Sequence, residues 1–209
     1  MTVISLIYTQ NSIGKLVEVN SMVTIRIGRL VLRELEDADW KAVHEYSSDS
    51  EVVRYMSWGP NTEEEDKSFI LRAIAYQREQ PRRNYALAMV LKANDILIGG
   101  CGLHISNLDN REAWLGYCLN RHFWRYGYAT EAAGALLAFG FEELNLHRIF
   151  ATCDPANIAS AHVMEKIGMQ REGHLRQHMW EKGRWRDSLL YAVLESERQK
   201  PKIEYNVAG

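Results

Sequence analysis

Apolar and small residues recur at helical spacing between positions 130 and 144. These residues form a stripe along one side of a helix: Ala133, Leu136, Leu137, Gly140, Phe141 and Leu144. The next run, 147–153, is short, contains β-branched and aromatic residues, and predicts a strand. Asn157 can then cap a second helix, which Gly168 ends. Residues 122–168 are therefore predicted to form a turn, a helix, a strand and a second helix.

The first third of the chain predicts one strand and two helices. Residues 25–35 alternate between apolar and polar positions, as a strand does. Acidic residues from Asp37 onward suit the positive end of a first helix. Thr62 and Glu65 form a capping box that begins a second helix. The buried stripe of that helix is formed by Phe69, Ile70, Ala73 and Tyr76. Residues 51–58 form an irregular, aromatic-rich link between the two helices.

Three strand-like runs follow, joined by short polar turns: residues 85–91, 97–105 and 112–119. Such short connections make neighbouring strands antiparallel. The helix after residue 130 instead carries the chain across to residues 147–153, and a crossover of that length returns a parallel strand. A further strand is predicted over residues 170–180. The expected fold is therefore α/β (α+β), with a mixed, mostly antiparallel central sheet, one parallel strand pair and flanking helices.

The composition is that of an ordinary soluble globular protein. The chain has 209 residues, of which 46% are hydrophobic and 25% charged, enough to bury a sizeable core as one domain. A net charge of −2 and an isoelectric point near 6.4 provide no electrostatic footprint for nucleic acid or an anionic membrane. No apolar run approaches the ~20 residues of a membrane span, and residues 3–7 are too short for a secretory signal. We expect a cytoplasmic enzyme without nucleic-acid or membrane partners.

The cysteine and histidine residues do not predict a metal or redox site. Three widely spaced cysteines lie in apolar runs, and we interpret them as small buried hydrophobes: Cys101, Cys118 and Cys153. His174 and His178 have i, i+4 spacing, but this spacing indicates a metal-binding face only on a helix, and their segment reads as a strand. His147 and His162 complete no ligand set either. We expect no metal.

The turn before the helix at 130–144 is suited to a phosphate group. The N-terminus of a helix carries unpaired backbone N–H groups and a partial positive charge. Gly127 tolerates unusual backbone torsions and Ala129 has a small side chain, so the backbone can approach a ligand closely. Arg125 adds a cation. A short glycine turn of this kind also occurs as a simple tight connection, so the turn alone leaves both interpretations open.

A series of ordered motifs extends this pattern over residues 24–197. They are Gly127-Tyr128-Ala129-Thr130-Glu131-Ala132, Phe141-Glu142-Glu143-Leu144, Leu146-His147-Arg148, Asp154-Pro155-Ala156-Asn157 with Ser160, Glu165-Lys166-Ile167-Gly168-Met169, Arg171-Glu172-Gly173 and Gly183-Arg184-Trp185-Arg186-Asp187. In these motifs the chain resembles the GNAT superfamily of acyl-coenzyme A dependent N-acetyltransferases, within the branch that includes the ribosomal-protein alanine N-acetyltransferases. The resemblance implies the GNAT fold, with a splayed parallel strand pair, and acetyl-coenzyme A (acetyl-CoA) as the co-substrate.

The same resemblance suggests domain boundaries. The shared pattern starts near Thr24, and Met22 would be a natural start. Residues 1–22 are therefore expected to be a poorly ordered N-terminal extension. Residues 23–198 are expected to form a single acetyltransferase domain, and residues 199–209 a C-terminal tail.

The resemblance also implies a cofactor site at the turn and at the end of the strand before it. In the superfamily the pantetheine arm enters the gap between the splayed strands and bonds to a free strand edge. The residues implied to bind the cofactor are Leu119, Arg125, Tyr126, Gly127, Tyr128, Ala129, Thr130, Asn157 and Lys166. Leu119 would direct its backbone N–H to the thioester carbonyl and stabilise the oxyanion. Asn157 would cap its helix, contact the pantetheine arm, or do both.

Three positions depart from the superfamily pattern. Trp124 stands where Gln or Arg is usual, Arg125 where Gly is frequent, and Trp114 where many relatives carry an acid before Leu-Gly-Tyr. Arg125 would either contact a phosphate or narrow the turn.

The superfamily builds one wall of its acceptor site from the first two helices and their link. The candidate pocket residues are Tyr55, Met56, Trp58 and Trp114, and simple core packing is the alternative for the first three. Ser160 is the implied acid for the departing thiolate, its alternative role being a bond to the local backbone. The base stays open between Glu112, Glu181 and a water. Glu112 lies two residues before Trp114 and on the same face of the strand.

The sequence thus predicts an N-acetyltransferase that moves an acetyl group from acetyl-CoA to a primary amine by direct attack in a ternary complex. The acceptor is either a protein N-terminus or a small molecule, and a homodimer is compatible with the sequence. The alternative is a catalytically weak acyl-CoA sensor or interaction module with the same fold, which Arg125 and Trp114 keep open. A dinucleotide-binding oxidoreductase is disfavoured because the chain lacks Gly-x-Gly-x-x-Gly.

Overall fold

One eight-stranded sheet runs through the part of the chain that the structure, a computed structural model, describes: residues 22–198. Its strands are β1 (Thr24–Ile27), β2 (Leu30–Glu34), β3 (Asn84–Leu91), β4 (Leu97–Asn107), β5 (Glu112–Leu119), β6 (Arg148–Cys153), β7 (Gln170–Glu181) and β8 (Arg184–Leu194). They lie in the order β1-β2-β3-β4-β5-β6-β8-β7. Every neighbouring pair is antiparallel except β5 and β6, which are parallel. The mixed, mostly antiparallel sheet is confirmed. The expected N-terminal extension, apart from Met22, and the C-terminal tail lie outside the described residues.

The helices that flank this sheet begin and end at the signals in the sequence. They are α1 (Trp40–Ser47), α2 (Glu63–Tyr76), α3 (Tyr128–Glu142) and α4 (Ile158–Lys166). The capping box of α2 forms, with Thr62 and Glu65 each accepting the backbone N–H of the other. Asn157 caps α4 by accepting the N–H of Ser160 at 3.1 Å, and Gly168 follows the helix with φ of +88°. Within residues 22–198, none of the helices combines the length and the apolar character that a membrane crossing requires.

The two faces of the sheet are covered by different helices. Successive residues of a strand point to opposite faces. On β3, Ala88 packs with Val43 of α1 and Ile70 of α2, whereas its neighbour Leu87 packs with Leu136 of α3. Helix α4 shares the second face with α3. The sheet therefore separates an α1–α2 side from an α3–α4 side.

The segment 25–35 is a hairpin of two strands, so the prediction of one strand was wrong. Ile27 pairs with Leu30 across a turn of two residues, Gly28 and Arg29. The buried positions are odd-numbered on β1 and even-numbered on β2, because the turn shifts the alternation by one residue. That shift in phase is the sequence signal for the turn.

Helix α3 is buried on nearly all sides, in contrast to the predicted single stripe. The run 135–141 is buried without interruption, because the helix packs on the sheet and against α4, which lies beside it on the same face. At Gly140 an added Cβ would lie 2.7 Å from Cδ1 of Ile149. Small residues thus let the helix approach the sheet closely on sides that the apolar pattern does not mark.

Strands β5 and β6 separate soon after they begin. Only residues 112–114 pair with residues 148–150, whereas β6 pairs with β8 along its whole length. Within residues 22–198, the edge of β5 that faces β6 therefore has no strand partner over residues 115–119. This confirms the splayed parallel pair.

Candidate active site

A cavity of about 680 Å³ opens where β5 and β6 separate. Residues 114–118 of β5 and 150–153 of β6 line it, and it extends beneath the link between α1 and α2. The four predicted pocket residues all contribute to its wall: Tyr55, Met56, Trp58 and Trp114. Trp114 is 45% exposed, so its indole remains accessible to a ligand.

The turn before α3 presents a row of free backbone donors. Among the described residues, the N–H groups of positions 125–130 have no backbone or side-chain acceptor. The first helical bond runs from the Glu131 N–H to the Gly127 carbonyl at 3.0 Å. Six consecutive donors at the positive end of a helix suit a multiply charged anion. The row fits a pyrophosphate, and it consists of the predicted residues Arg125, Tyr126, Gly127, Tyr128, Ala129 and Thr130.

Both Arg125 and Gly127 have positive φ angles, of +68° and +83°. Glycine adopts this conformation freely, whereas for a residue with a Cβ it costs about 1–2 kcal/mol. The turn therefore holds Arg125 in a backbone conformation that glycine adopts more easily. The Arg125 side chain is exposed, and its charge adds to the positive potential beside the free N–H groups.

Arg29, in the turn between β1 and β2, braces this anion site and was not among the residues predicted from the sequence. Its Nη2 lies 2.9 Å from Oε2 of Glu131, and its backbone N–H donates to Oε1 of the same carboxylate at 2.6 Å. Nη1 donates to the carbonyl of Tyr126 at 2.9 Å, and the guanidinium lies 4.3 Å from the ring centre of Tyr128. Position 29 reaches this turn because β1 and β2 form a hairpin, whereas the sequence predicted a single strand there.

Leu119 ends β5 with its backbone N–H directed toward the gap. The next residue, Asn120, donates its N–H to the carbonyl of Ile98 beside β5 at 2.8 Å. Successive N–H groups of a strand point in opposite directions, so the N–H of Leu119 faces the separated β6. Trp124 Nε1 donates to the Leu119 carbonyl at 2.7 Å and so holds the strand end next to the turn. This geometry fits the predicted contact with a cofactor arm.

The predicted acid, Ser160, is paired with Tyr117. Their hydroxyl oxygens lie 2.9 Å apart, and the Tyr117 hydroxyl also donates to the Ser160 carbonyl at 3.1 Å. Both residues line the cavity. Burial raises the pKa of Tyr117 to about 12, although the hydrogen bond to Ser160 opposes the shift. The phenol is therefore protonated at neutral pH and can act as a proton donor.

Glu112 does not line the cavity. It lies at the beginning of β5, where its carboxylate forms an ion pair with Arg148 at 3.3 Å and accepts a hydrogen bond from Ser106 at 3.2 Å. The structure therefore does not bring Glu112 together with Ser160.

Glu181, the alternative base, does line the cavity, and no other carboxylate of the described residues does so. Its side chain is 9% exposed, and Oε2 lies 3.2 Å from Nε of Arg186. Oε1 is buried and has no hydrogen-bond partner among the described residues. An unpaired buried carboxylate oxygen is unfavourable, and a ligand that donates a hydrogen bond to it would remove that penalty.

The hairpin formed by β7 and β8 crosses to the α1–α2 link and so positions Glu181. Lys182 Nζ donates to the Val53 carbonyl at 2.8 Å. Arg186 Nη1 donates to the Tyr55 carbonyl at 3.2 Å. These bonds join the hairpin to the link between residues 129 and 131 positions apart, which no local pattern indicates.

His104, on β4, is a further cavity residue that was not predicted from the sequence. Its Nδ1–H donates to Oδ1 of Asn84 at 2.5 Å. The amide of Asn84 is oriented by its own donation to Glu79 at 3.3 Å. Because an amide oxygen only accepts hydrogen bonds, neutral His104 carries its hydrogen on Nδ1 and an acceptor lone pair on Nε2. The imidazole ring lies 5.6 Å from the ring of Trp114.

The other residues selected from the sequence lie in different places. Asn157 lines the cavity while it caps α4, whereas Lys166 is exposed in the last turn of that helix and does not line the cavity. Cys101 and Cys153 are buried, as predicted, and Cys118 is half-buried. Burial raises the pKa of Cys118 to about 12, so its thiol is not a ready nucleophile.

The chain is similar to known acetyltransferases over most of its length. Residues 29–170 match the family model described as Acetyltransferase (GNAT) domain. "Uncharacterized N-acetyltransferase YnaD" of Bacillus subtilis (strain 168) is 41% identical over 169 residues, which cover 81% of this chain and 95% of that protein. "Uncharacterized N-acetyltransferase p20" of Bacillus licheniformis is 34% identical, with coverage of 84% and 98%. The crystal structure of an acetyltransferase (GNAT family) from Bacillus anthracis is 39% identical, has a TM-score of 0.75, and matches 84% of this chain and 100% of its own. The chain therefore belongs to the GNAT acetyltransferase family.

Proposed function

We propose that this protein transfers the acetyl group of acetyl-CoA to a primary amine by direct attack in a ternary complex. The main supporting observation is the row of free N–H groups at residues 125–130 beside the gap between β5 and β6. The row suits a pyrophosphate, and the unpaired edge of β5 suits the amides of a pantetheine arm. Acetyl-CoA supplies the activated acyl group, and the relatives YnaD and p20 are named N-acetyltransferases.

Each residue of the cofactor site has a separate role in this proposal. The N–H groups of residues 125–130 and the side chain of Arg125 bind the phosphates. The N–H of Leu119 donates to the thioester carbonyl, where negative charge develops during attack. Asn157 contacts the pantetheine arm. Lys166 contributes positive charge from the surface of α4.

Tyr117 and Ser160 supply the proton that the departing sulfur needs. The amine nitrogen bonds to the carbonyl carbon, the carbon–sulfur bond breaks, and the sulfur takes a proton from this hydroxyl pair. The pair then recovers a proton from solvent. Tyr117 suits this role because burial keeps it protonated.

Glu181 accepts the proton that the ammonium form of the acceptor must lose before attack. The free Oε1 in the cavity supports this assignment, and Glu112 is disfavoured because it does not line the cavity. The proton then passes to solvent. After attack the nitrogen loses a second proton to solvent, which balances the proton that the hydroxyl pair recovers, so the overall reaction yields the amide, the free thiol and one proton.

Calorimetric titration with acetyl-CoA, followed by mass spectrometry of amine products, tests the proposal on the purified full chain. We expect saturable binding and an acetylated amine. Gly127→Glu should abolish binding, because it places a bulky anion in the phosphate turn. Gly168→Glu is the matched control, since Gly168 also has positive φ but lies after α4 with open space around it. Wild-type affinity in Gly127→Glu would remove the phosphate assignment, and binding without any amine product would favour the non-catalytic sensor.

A further inference from the structure

We infer that the acceptor is a compact monoamine with a flat aromatic body, rather than a polyamine or a peptide N-terminus. This inference rests on the proposed function and concerns the same cavity. Four features of the described cavity support it: glycines covered by aromatic groups, aromatic sides, a single carboxylate and a limited volume.

The floor is formed by glycines of β4 and β5. Gly102 pairs with Gly116 across the two strands, and both line the cavity together with Gly100. This floor faces the α1–α2 side, since a Cβ at Gly100 would lie 3.1 Å from the hydroxyl of Tyr46 in α1. The surface above two of these glycines is covered by aromatic groups, since the Tyr46 hydroxyl lies over Gly100 and the Trp114 ring over Gly116. A ligand here therefore meets aromatic groups rather than aliphatic side chains.

Aromatic side chains surround this floor. They are Tyr55, Trp58, Phe69, Tyr76, Trp114 and Phe150. Trp114 lies at the edge of the floor, where its ring would be 3.1 Å from a Cβ at Gly116, and it also lies beside the imidazole of His104. Aromatic rings prefer edge-to-face or offset contacts with other rings, and such contacts stabilise a bound ring beyond the burial of its area. These walls therefore favour a ring over a flexible alkyl chain.

The charges of the wall admit one ammonium group. Glu181 is the only carboxylate among the described lining residues, and one of its oxygens already faces Arg186. Oε1 is left for a single donor. A second ammonium of a polyamine would enter an apolar wall without a counter-charge, which is strongly unfavourable.

The room for an acceptor beside the thioester arm is limited. Lys182 and Arg186 of the hairpin donate to the carbonyls of Val53 and Tyr55 in the link. The volume of about 680 Å³ must hold both the thioester arm and the acceptor. That volume favours a compact acceptor over an extended peptide.

Steady-state acetylation of four amines by the full chain tests this inference: 2-phenylethylamine, n-butylamine, spermidine and an alanine-terminated tripeptide. We expect kcat/KM for 2-phenylethylamine to exceed that of each other amine by at least about tenfold. Trp114→Ala should remove most of its advantage over n-butylamine. Trp180→Ala is the matched control, because this tryptophan is exposed on the hairpin and does not line the cavity. Glu181→Gln should raise KM for 2-phenylethylamine while the Kd for acetyl-CoA is unchanged. Glu172→Gln is the control for that change. Glu172 lies on the same strand as Glu181, but its carboxylate is paired with Arg148 outside the cavity.

The outcomes separate the acceptor class from the proposed function. Preferred acetylation of spermidine or of the tripeptide would overturn the aromatic monoamine and leave the N-acetyltransferase function intact. Equal rates for 2-phenylethylamine and n-butylamine, unchanged by Trp114→Ala, would also overturn it. Failure to acetylate any of the four amines, despite tight binding of acetyl-CoA, would count against the proposed function and the acceptor class together.

Discussion

Nη2 of Arg29 and Oε2 of Glu131 lie 2.9 Å apart, although the two residues are 102 positions apart in the chain. Arg29→Ala removes this ion pair, the bond to the Tyr126 carbonyl and the stacking on Tyr128. It also leaves the Glu131 carboxylate without a counter-charge beside the phosphate turn. Because the guanidinium is 52% exposed and its charge is screened by solvent, we expect acetyl-CoA to bind about tenfold more weakly, a change of about 1.4 kcal/mol. Calorimetric titration measures this effect.

Arg26→Ala provides the control for the loss of positive charge from the same hairpin. Arg26 is exposed on β1. We therefore expect the Kd of the Arg26→Ala variant for acetyl-CoA to remain within about twofold of wild type, as for an ordinary surface substitution. Equal weakening in both variants would show that net charge, rather than the brace, sets the affinity.

Tyr117→Phe should lower kcat by about 100-fold or more, because it removes the proton donor for the sulfur. The Kd for acetyl-CoA should change little, since the phenyl ring still fills the same part of the wall. The pKa of Tyr117 is raised to about 12 by burial, so its proton is present at lower pH and is lost only as the pH rises toward that value. We therefore expect no decline of kcat between about pH 7 and about pH 10 from this group. A decline in that range that disappears in Tyr117→Phe would contradict the assignment.

Ser160→Ala should also lower kcat with nearly unchanged affinity for acetyl-CoA. We expect a smaller loss than for Tyr117→Phe, because the phenol retains its bond to the backbone carbonyl of residue 160. Single-turnover kinetics with saturating acetyl-CoA measure the chemical step directly. Unchanged turnover would exclude Ser160 from proton transfer.

Arg125→Gly should stabilise the fold by up to about 1 kcal/mol, because the native φ of +68° strains a residue with a Cβ. The gain is partly offset by the greater flexibility of glycine in the unfolded chain. Gly127→Ala should instead lower the free energy of unfolding, because the φ of Gly127 is +83°. Urea denaturation monitored by tryptophan fluorescence measures both. An equal or lower free energy of unfolding in Arg125→Gly would show that the arginine side chain stabilises the turn more than its backbone strains it.

Arg82→Ala should lower the free energy of unfolding by about 3 kcal/mol, because it leaves a buried carboxylate unpaired. Nη1 and Nη2 of Arg82 donate to the two carboxylate oxygens of Glu34, at 2.8 and 3.1 Å. The Glu34 side chain is only 3% exposed. Arg83→Ala, at the exposed neighbouring position, should have little effect. Similar stabilities for the two variants would mean that water replaces Arg82 around Glu34.

Much of the fold could be predicted because its signals are local. The capping box at Thr62, the cap at Asn157 and the crossover through α3 each depend on residues close together in the chain. The hairpin at Gly28 was missed because its only sign is a shift of one residue in an otherwise regular alternation. The burial of α3 was underestimated because alanine and glycine carry a weak apolar signal even where they pack most closely.

The order and spacing of nearby residues predicted the parallel strand pair and the glycine turn before α3. The resemblance to the GNAT superfamily implied the splay of that pair, a phosphate role for the turn and the pocket residues Tyr55, Met56, Trp58 and Trp114. The tertiary structure decided which polar groups meet there. Glu181 rather than Glu112 lines the cavity, Tyr117 pairs with Ser160, and Arg29 braces the turn. The contacts of Tyr117 and of Arg29 join positions from 43 to 102 apart, and the distance between two polar groups depends on how strands and hairpins pack in space.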